Sequence, residues 1–352
     1  MSGIGEQQLL RAAARAASLD DRLDGAAGAD TDPGVITGRL SQWRDNAAGG
    51  DAARFRDYLA DLRLAQGDAE RLVRDVVVPR AEQAPAWSHT LAAITARAVT
   101  DGDAGDPAAA AFGHLWTPAG GAARAAIEAA LTAQQRGLMD AGAIDHLVTD
   151  LVAGLGELGG AVLYQDFSRL RRRLREQGWV AASYQQFVDG ERQAGLPALA
   201  IRYPVLGRLV AQRVTELADA AVTLLARLLA DLPALRSAFW AGADPGLLMS
   251  VRLGWSDRHQ HGQTVARLDF ERGQVLAYKP RPVSAERALS GLLAALAASG
   301  VQTPLGPGRG RPGRLRLGGL DRAAALRRAS RAGRLLPTVG NAAQPGGNAE
   351  RH

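Results

Sequence analysis

The spacing of the apolar residues changes once along this chain, near Gly246. Before it, Leu206, Leu209, Val210, Val214, Leu217, Ala221, Leu224, Leu225 and Leu228 recur at helical intervals and form a broad apolar stripe. After it the period falls to two over Leu247–Trp255, Gln263–Phe270 and Gln274–Lys279, which reads as three strands. Glu271-Arg272-Gly273 supplies a tight hairpin turn, with a glycine available for positive φ. The expected fold is mainly α with a small antiparallel β-sheet. Residues 1–245 are expected to be predominantly helical, and 246–281 to hold the only substantial β-structure.

Local signals divide the helical part further. Phe55, Leu59 and Leu62 fit one helical stripe, and Leu72, Val73 and Val76 another. Thr100 to Gly121 is rich in Gly, Asp, Ala and Pro and reads as a loop. Helix returns over about 122–138 and 143–175. Arg169, Arg171, Arg172, Arg173 and Arg175 form a basic run there, either a solvated helix face or a contact for phosphate or an acidic peptide. Tyr203-Pro204 breaks the chain, because proline drives its predecessor out of the helical region and suits the first turn of the next helix. Pro233 is expected to interrupt that helix, and a short one to follow to Phe239 and Trp240. Ser284 is placed to cap a helix running to Ser299.

At 352 residues the chain is long enough for two domains. Its 47% apolar but only 5% aromatic residues suit packed Ala/Leu helices rather than an aromatic-rich β-core. No unbroken apolar run reaches the ~18 residues of a membrane span, and the N-terminus lacks the basic and apolar regions of a signal peptide. A cytoplasmic location is therefore expected. The absence of cysteine excludes disulfides, Cys-ligated zinc and thiol nucleophiles together. The net charge of +6 is unevenly spread. Residues 301–352 hold ten Arg against Asp321 and Glu350, whereas the first 300 carry 32 basic and 34 acidic groups. The high pI thus belongs to the tail and gives no reason to expect specific nucleic-acid binding by the rest.

Lys279 is the only lysine; every other one of the 42 Lys+Arg positions is arginine. A compact ammonium and a planar guanidinium are not interchangeable where a point charge must meet a phosphate. Upstream lies the polar loop Ser256-Asp257-Arg258-His259-Gln260-His261-Gly262. Adjacent strands lie about 4.8 Å apart, so this loop and Lys279 can face one cleft. A kinase-like small lobe works in that way: a loop covers the nucleotide phosphates and a strand lysine neutralises them. Nothing in the chain matches a Walker A loop. The plainer alternative is that Asp257 and His259 only fasten a hairpin loop. His89, His114 and His146 read as packing or surface histidines, and no cluster has metal-ligand spacing.

The run from Ser256 to Gly262, followed by Val265, Leu268, Phe270, Gly273 and Tyr278-Lys279-Pro280-Arg281, resembles the signature of class II lanthipeptide synthetases (LanM). That signature is Gly-Asp-x-His-x-x-Gly, a strand, and Tyr-Lys-Pro-Arg. Tyr203-Pro204-Val205-Leu206-Gly207-Arg208 and Phe239 stand upstream at similar spacing. The resemblance covers about 150–300 well and 1–150 loosely. It implies a dehydratase whose lipid-kinase-like core lies behind a helical N-terminal region. Such enzymes phosphorylate Ser/Thr of a ribosomally made precursor peptide (a leader plus a Ser/Thr/Cys core) using ATP and Mg²⁺. They then eliminate phosphate to give dehydroamino acids. On this resemblance Asp257 and His259 match catalytic loop residues, and Lys279, Gly262 and Arg281 match the nucleotide-binding set. Ser256 departs from the family's glycine, and the large lobe with its Mg²⁺-binding acids is not recognised after residue 300.

Three regions follow as expectations: a helical N-terminal region (1–245), an incomplete kinase-like small lobe (246–300), and a disordered, non-native tail (301–352) arising from a frameshift or truncation. Removing residues 304–352 is expected to leave stability nearly unchanged. The chain is expected to be inactive alone, with a missing C-terminal dehydratase and cyclase portion. The alternative is a non-catalytic helical module that binds peptide or nucleotide.

Overall fold

The computed structural model describes residues 5–23, 27–28, 30–97, 112–177, 183–253, 264–280, 284–300 and 335–337. It is mostly helical with a small antiparallel sheet, as the change of period implies. The elements in chain order are α1 (Glu6–Ala16), α2 (Leu19–Leu23), β1 (Ala27–Gly28), α3 (Pro33–Ala48), α4 (Ala52–Asp61), α5 (Gln66–Leu72), β2 (Val76–Val77), α6 (Ala86–Ala96), α7 (Gly113–Ala130), α8 (Ala133–Arg136), α9 (Asp145–Glu176), α10 (Ser183–Arg202), α11 (Pro204–Phe239), β3 (Leu248–Arg252), β4 (Ala266–Phe270), β5 (Val275–Tyr278), α12 (Ser284–Ala298) and β6 (Leu335–Pro337). They form two compact units, one from 1–122 and 152–215, the other from 123–151 and 216–352. Residues 123–151 and 216–245 thus belong with the sheet.

In the first unit, Asp32 caps α3 and Asp51 caps α4, each carboxylate accepting from two backbone N–H groups of the opening turn. Arg22 ties the N-terminal helices together by donating to the carbonyls of Leu72 and Arg74, both at 2.7 Å. Trp116, buried on α7, lies against the glycines of α9. Residues 113–121, expected as loop, are the start of α7. Burial of Leu115, Trp116 and Ala119 to 1% exposure or less outweighs the weak helix propensity of the Gly and Pro among them. Tyr203 separates α10 from α11, and Pro204 opens α11 at its first position, as the Tyr-Pro pair implies.

In the second unit, Ile127, Leu131, Ile144 and Leu147 join the α11 residues Ala218, Ala221, Leu224, Leu225, Leu228 and Leu235. Together they cover one sheet face, formed by Leu248, Val251, Ala266, Leu268, Phe270, Leu276 and Tyr278. α11 continues through Pro233 to Phe239, contrary to the expected break. The proline forfeits one i→i−4 hydrogen bond, but Leu232 and Leu235 beside it are buried and hold the helix to its apolar core. The strands run in the order β3-β4-β5-β6, all antiparallel. The outer edge of β3 is covered by residues 138–143: Leu248 N–H donates to Leu138 C=O at 2.8 Å, and Val251 N–H to Ala143 C=O at 3.0 Å.

One further expectation changes. Leu335–Pro337, assigned from sequence to a disordered tail, pairs with Leu276–Tyr278 as an edge strand. α9 is the one described helix long and apolar enough, by length and composition, to cross a membrane. Asp150 and Glu157 interrupt its apolar stretch, which is why no unbroken run appears in the sequence.

Candidate functional site

The hairpins that carry Lys279 are shaped by two glycines. Gly246 enters β3 at φ +74°, where a Cβ would lie 2.4 Å from a Glu271 carboxylate oxygen. That carboxylate accepts the Leu247 N–H at 3.2 Å, so the close approach fastens the start of β3 to the β4–β5 turn. Gly273, at φ +84°, closes the turn, with Phe270 N–H donating to Gln274 C=O at 2.9 Å.

A bulge between Leu248 and Ser250 re-aims β3. Leu248 and Val251 both face the helices, while Ser250 and Arg252 pair with Asp269 and Arg267 on the other face. Strand alternation then puts Ala277, opposite Arg267, on that same face. The sheet thus has one apolar side packed on helices and one polar side bearing Ser250, Arg252, Arg267 and Asp269. Asp269 is held twice: Ser250 Oγ donates to Oδ2 at 2.9 Å, and Arg267 Nε donates to Oδ1 at 2.7 Å. Arg252 lies directly across from Arg267 in the ladder, and its guanidinium is 3.4 Å from His146 Nε2.

Lys279 follows the last residue of β5 and is half-buried. One further step of alternation from Tyr278, whose side chain is in the core, puts Lys279 on the Ala277 face. It is then a diagonal neighbour of Arg267, at a spacing of roughly 7–8 Å. Tyr278 anchors this strand end, its hydroxyl accepting a hydrogen bond from Arg227 of α11. One turn further along α11, Asp231 is only 3% exposed. Burial raises its pKa above the ordinary carboxylate value, against a smaller lowering by Arg227.

Three cations and one carboxylate therefore share the polar face. Like charges directly opposed across a strand pair repel, and Asp269 holds Arg267 of the pair. Ammonium and guanidinium groups are the donors that phosphate oxygens take. Of the residues singled out in the sequence, Asp257, His259, Gly262 and Arg281 lie outside the described residues, as does most of the loop between β3 and β4. Leu253 and Thr264, which flank that loop, stand at the same end of the sheet as Lys279. Among the described residues no three His, Asp or Glu side chains come together to hold a metal ion. Sequence reasoning missed Arg252, Arg267 and Asp269. The alternation of polar and apolar residues within Ala266–Phe270 was the available signal for two of them.

A family described as a domain of unknown function (DUF4135) matches residues 203–307, a span containing α11, β3 to β5, Lys279 and α12. No curated protein matches the chain.

Proposed function

We propose that this chain carries the phosphate-binding part of a class II lanthipeptide dehydratase, which phosphorylates Ser/Thr of a precursor peptide with ATP and then eliminates phosphate. The observation that carries the reading is the position of the single lysine. It follows a strand whose core-side neighbour is pinned to α11, on the sheet face that also bears Arg252 and Arg267. A point charge there suits the β- and γ-phosphates of a nucleotide, and stabilising charge on the transferring phosphoryl oxygens is the main catalytic task in such a reaction. Asp257 and His259, by their match to the family motif, are assigned the proton handling of elimination.

The described residues fit the phosphates of ATP but not its Mg²⁺, because no acidic group of the needed size occurs among them. On this reading the metal-holding acids belong to the dehydratase's large lobe, which is not recognised in this chain. The same observation favours a second reading, a nucleotide- or peptide-binding module without chemistry of its own.

Equilibrium binding of a fluorescent ATP analogue to the wild-type chain and to Lys279→Met tests the site. Mass spectrometry of a cognate precursor incubated with ATP and Mg²⁺ tests the chemistry. Nucleotide binding that depends on Lys279, with the peptide mass unchanged by the chain alone, is expected. Absence of Lys279-dependent binding would overturn the phosphate-site reading. Loss of water from the peptide would show that the chain is complete in itself.

A further inference from the structure

The basic run of α9 lines a cleft. Arg169, Arg172 and Arg173 stand at i, i+3 and i+4, on one face of the helix. They form one wall of an open cleft of about 810 Å³, whose other wall is α10. Gly190 and Ala194 keep that second wall low, with open space where a Gly190 side chain would be. Phe187, 6% exposed, gives the cleft an apolar floor and is braced by Phe167 and Phe112, with ring centroids at 5.5 and 5.7 Å.

The acidic groups in the cleft already have cationic partners. Arg202 donates to both oxygens of Glu191, at 2.8 and 2.9 Å, and its Nε lies 2.9 Å from Asp166 Oδ2. Asp166 also accepts from the Tyr203 hydroxyl and lies 3.5 Å from Arg169. Arg172 and Arg173 are exposed and form no ion pair with a described residue. The cleft therefore has a charge-balanced base, with the guanidinium groups of Arg172 and Arg173 at its rim outside those pairs.

We propose that this cleft docks an acidic amphipathic peptide segment, with carboxylates on Arg172 and Arg173 and an apolar side chain over Phe187. Arginine forks match carboxylates bidentately, and a floor of aromatic and small residues suits an apolar anchor. The lining from Asp166 to Arg173 spans about two helical turns, roughly 10 Å, which fits a short peptide rather than a lone anion. A nucleic-acid backbone fits less well, because Asp166 and Glu191 lie where its phosphates would run. The chain's own C-terminal stretch, with its ten arginines, has the wrong sign. The proposal is independent of the nucleotide reading.

The test uses a fluorescein-labelled amphipathic 14-mer of Glu and Leu, its Gln-for-Glu counterpart, and a single-stranded oligonucleotide of equal charge, all without ATP. Arg172→Glu/Arg173→Glu is expected to weaken acidic-peptide binding at least about tenfold, and Arg172→Gln/Arg173→Gln to weaken it less. Arg171→Glu/Arg175→Glu makes the same charge change on the same helix outside the cleft, and is expected to stay within about twofold of wild type. Circular dichroism melts confirm that each variant folds. No binding of the acidic peptide, equal binding of the Gln peptide, equal loss in both Glu variants, or tighter Arg172/Arg173-dependent binding of the oligonucleotide would each overturn it.

Discussion

Gly159 of α9 lies beneath the six-membered ring of Trp116, so closely that a Cβ on residue 159 would stand 2.3 Å from Cζ2 and 2.5 Å from Cη2. Trp116 is 1% exposed, so the ring has no free space to retreat into. In an open helix, Gly→Ala gains up to about 1 kcal/mol from backbone entropy. Here the added methyl overpacks the contact, at a typical cost of about 1–3 kcal/mol. Gly159→Ala is therefore expected to lower the denaturant midpoint, whereas Gly160→Ala, with nothing within 4 Å of its new Cβ, should be neutral or stabilising. Equal gains from both substitutions would remove the close approach from the account.

Lys279→Met removes the ammonium while leaving an apolar stem of similar length. Loss of a hydrogen bond to a charged group costs about 1.5–3 kcal/mol, so nucleotide affinity should fall about ten- to a hundredfold. Lys279→Arg keeps the charge but spreads it over a planar fork, and is expected to recover only part of the affinity. Arg267→Gln should weaken binding as well, and in a salt-dependent manner, if the polar sheet face carries the phosphates. Unchanged affinity in all three variants would move the nucleotide off this face.

Asp231 gives a prediction in pH. Its folded-state pKa lies above the unfolded value because burial disfavours the carboxylate. The folded state therefore holds the proton more tightly, and stability falls as pH rises from the ordinary aspartate range through the raised value. Asp231→Asn removes the ionisation. It should raise the melting temperature at pH 7 relative to wild type, with a gain that shrinks toward pH 4. A gain that grows on acidification would reverse the sign and refute the desolvation argument.

The parts of the fold written locally were legible in the sequence. The period change at Gly246 located the sheet, Pro204 located the start of α11, and Gly273 located the hairpin turn. Readings that ranked local breakers above packing went wrong: Pro233 lies inside α11, and residues 113–121 are helical because Leu115, Trp116 and Ala119 are buried. Half of the candidate site was readable. A lone lysine in an arginine-rich chain is visible at once, but Arg252 reaches the polar face only because a bulge at Met249 shifts the parity of β3. No periodicity argument reveals that shift, just as none reveals that Arg172 and Arg173 stand outside the ion pairs of Arg202 with Asp166 and Glu191.

The last prediction concerns the edge of β5. From sequence, residues 304–352 are dispensable, because their Gly/Arg/Pro-rich composition buries little apolar surface. Yet Leu335–Pro337 lies along β5, opposite Leu276–Tyr278. Truncation after Pro337 leaves that ladder intact and should not change the melting temperature. Truncation after Gly300 removes it and bares a strand edge next to Lys279, a template for pairing with a second chain. A strand this short is worth about 1 kcal/mol, or roughly 2–4 °C in a domain of this size. The shorter truncation product should therefore melt a few degrees lower, and should also associate as concentration rises, visible by light scattering. Identical melting and identical monodispersity of the two products would show that β6 contributes nothing to the sheet, and would restore the dispensable-tail reading.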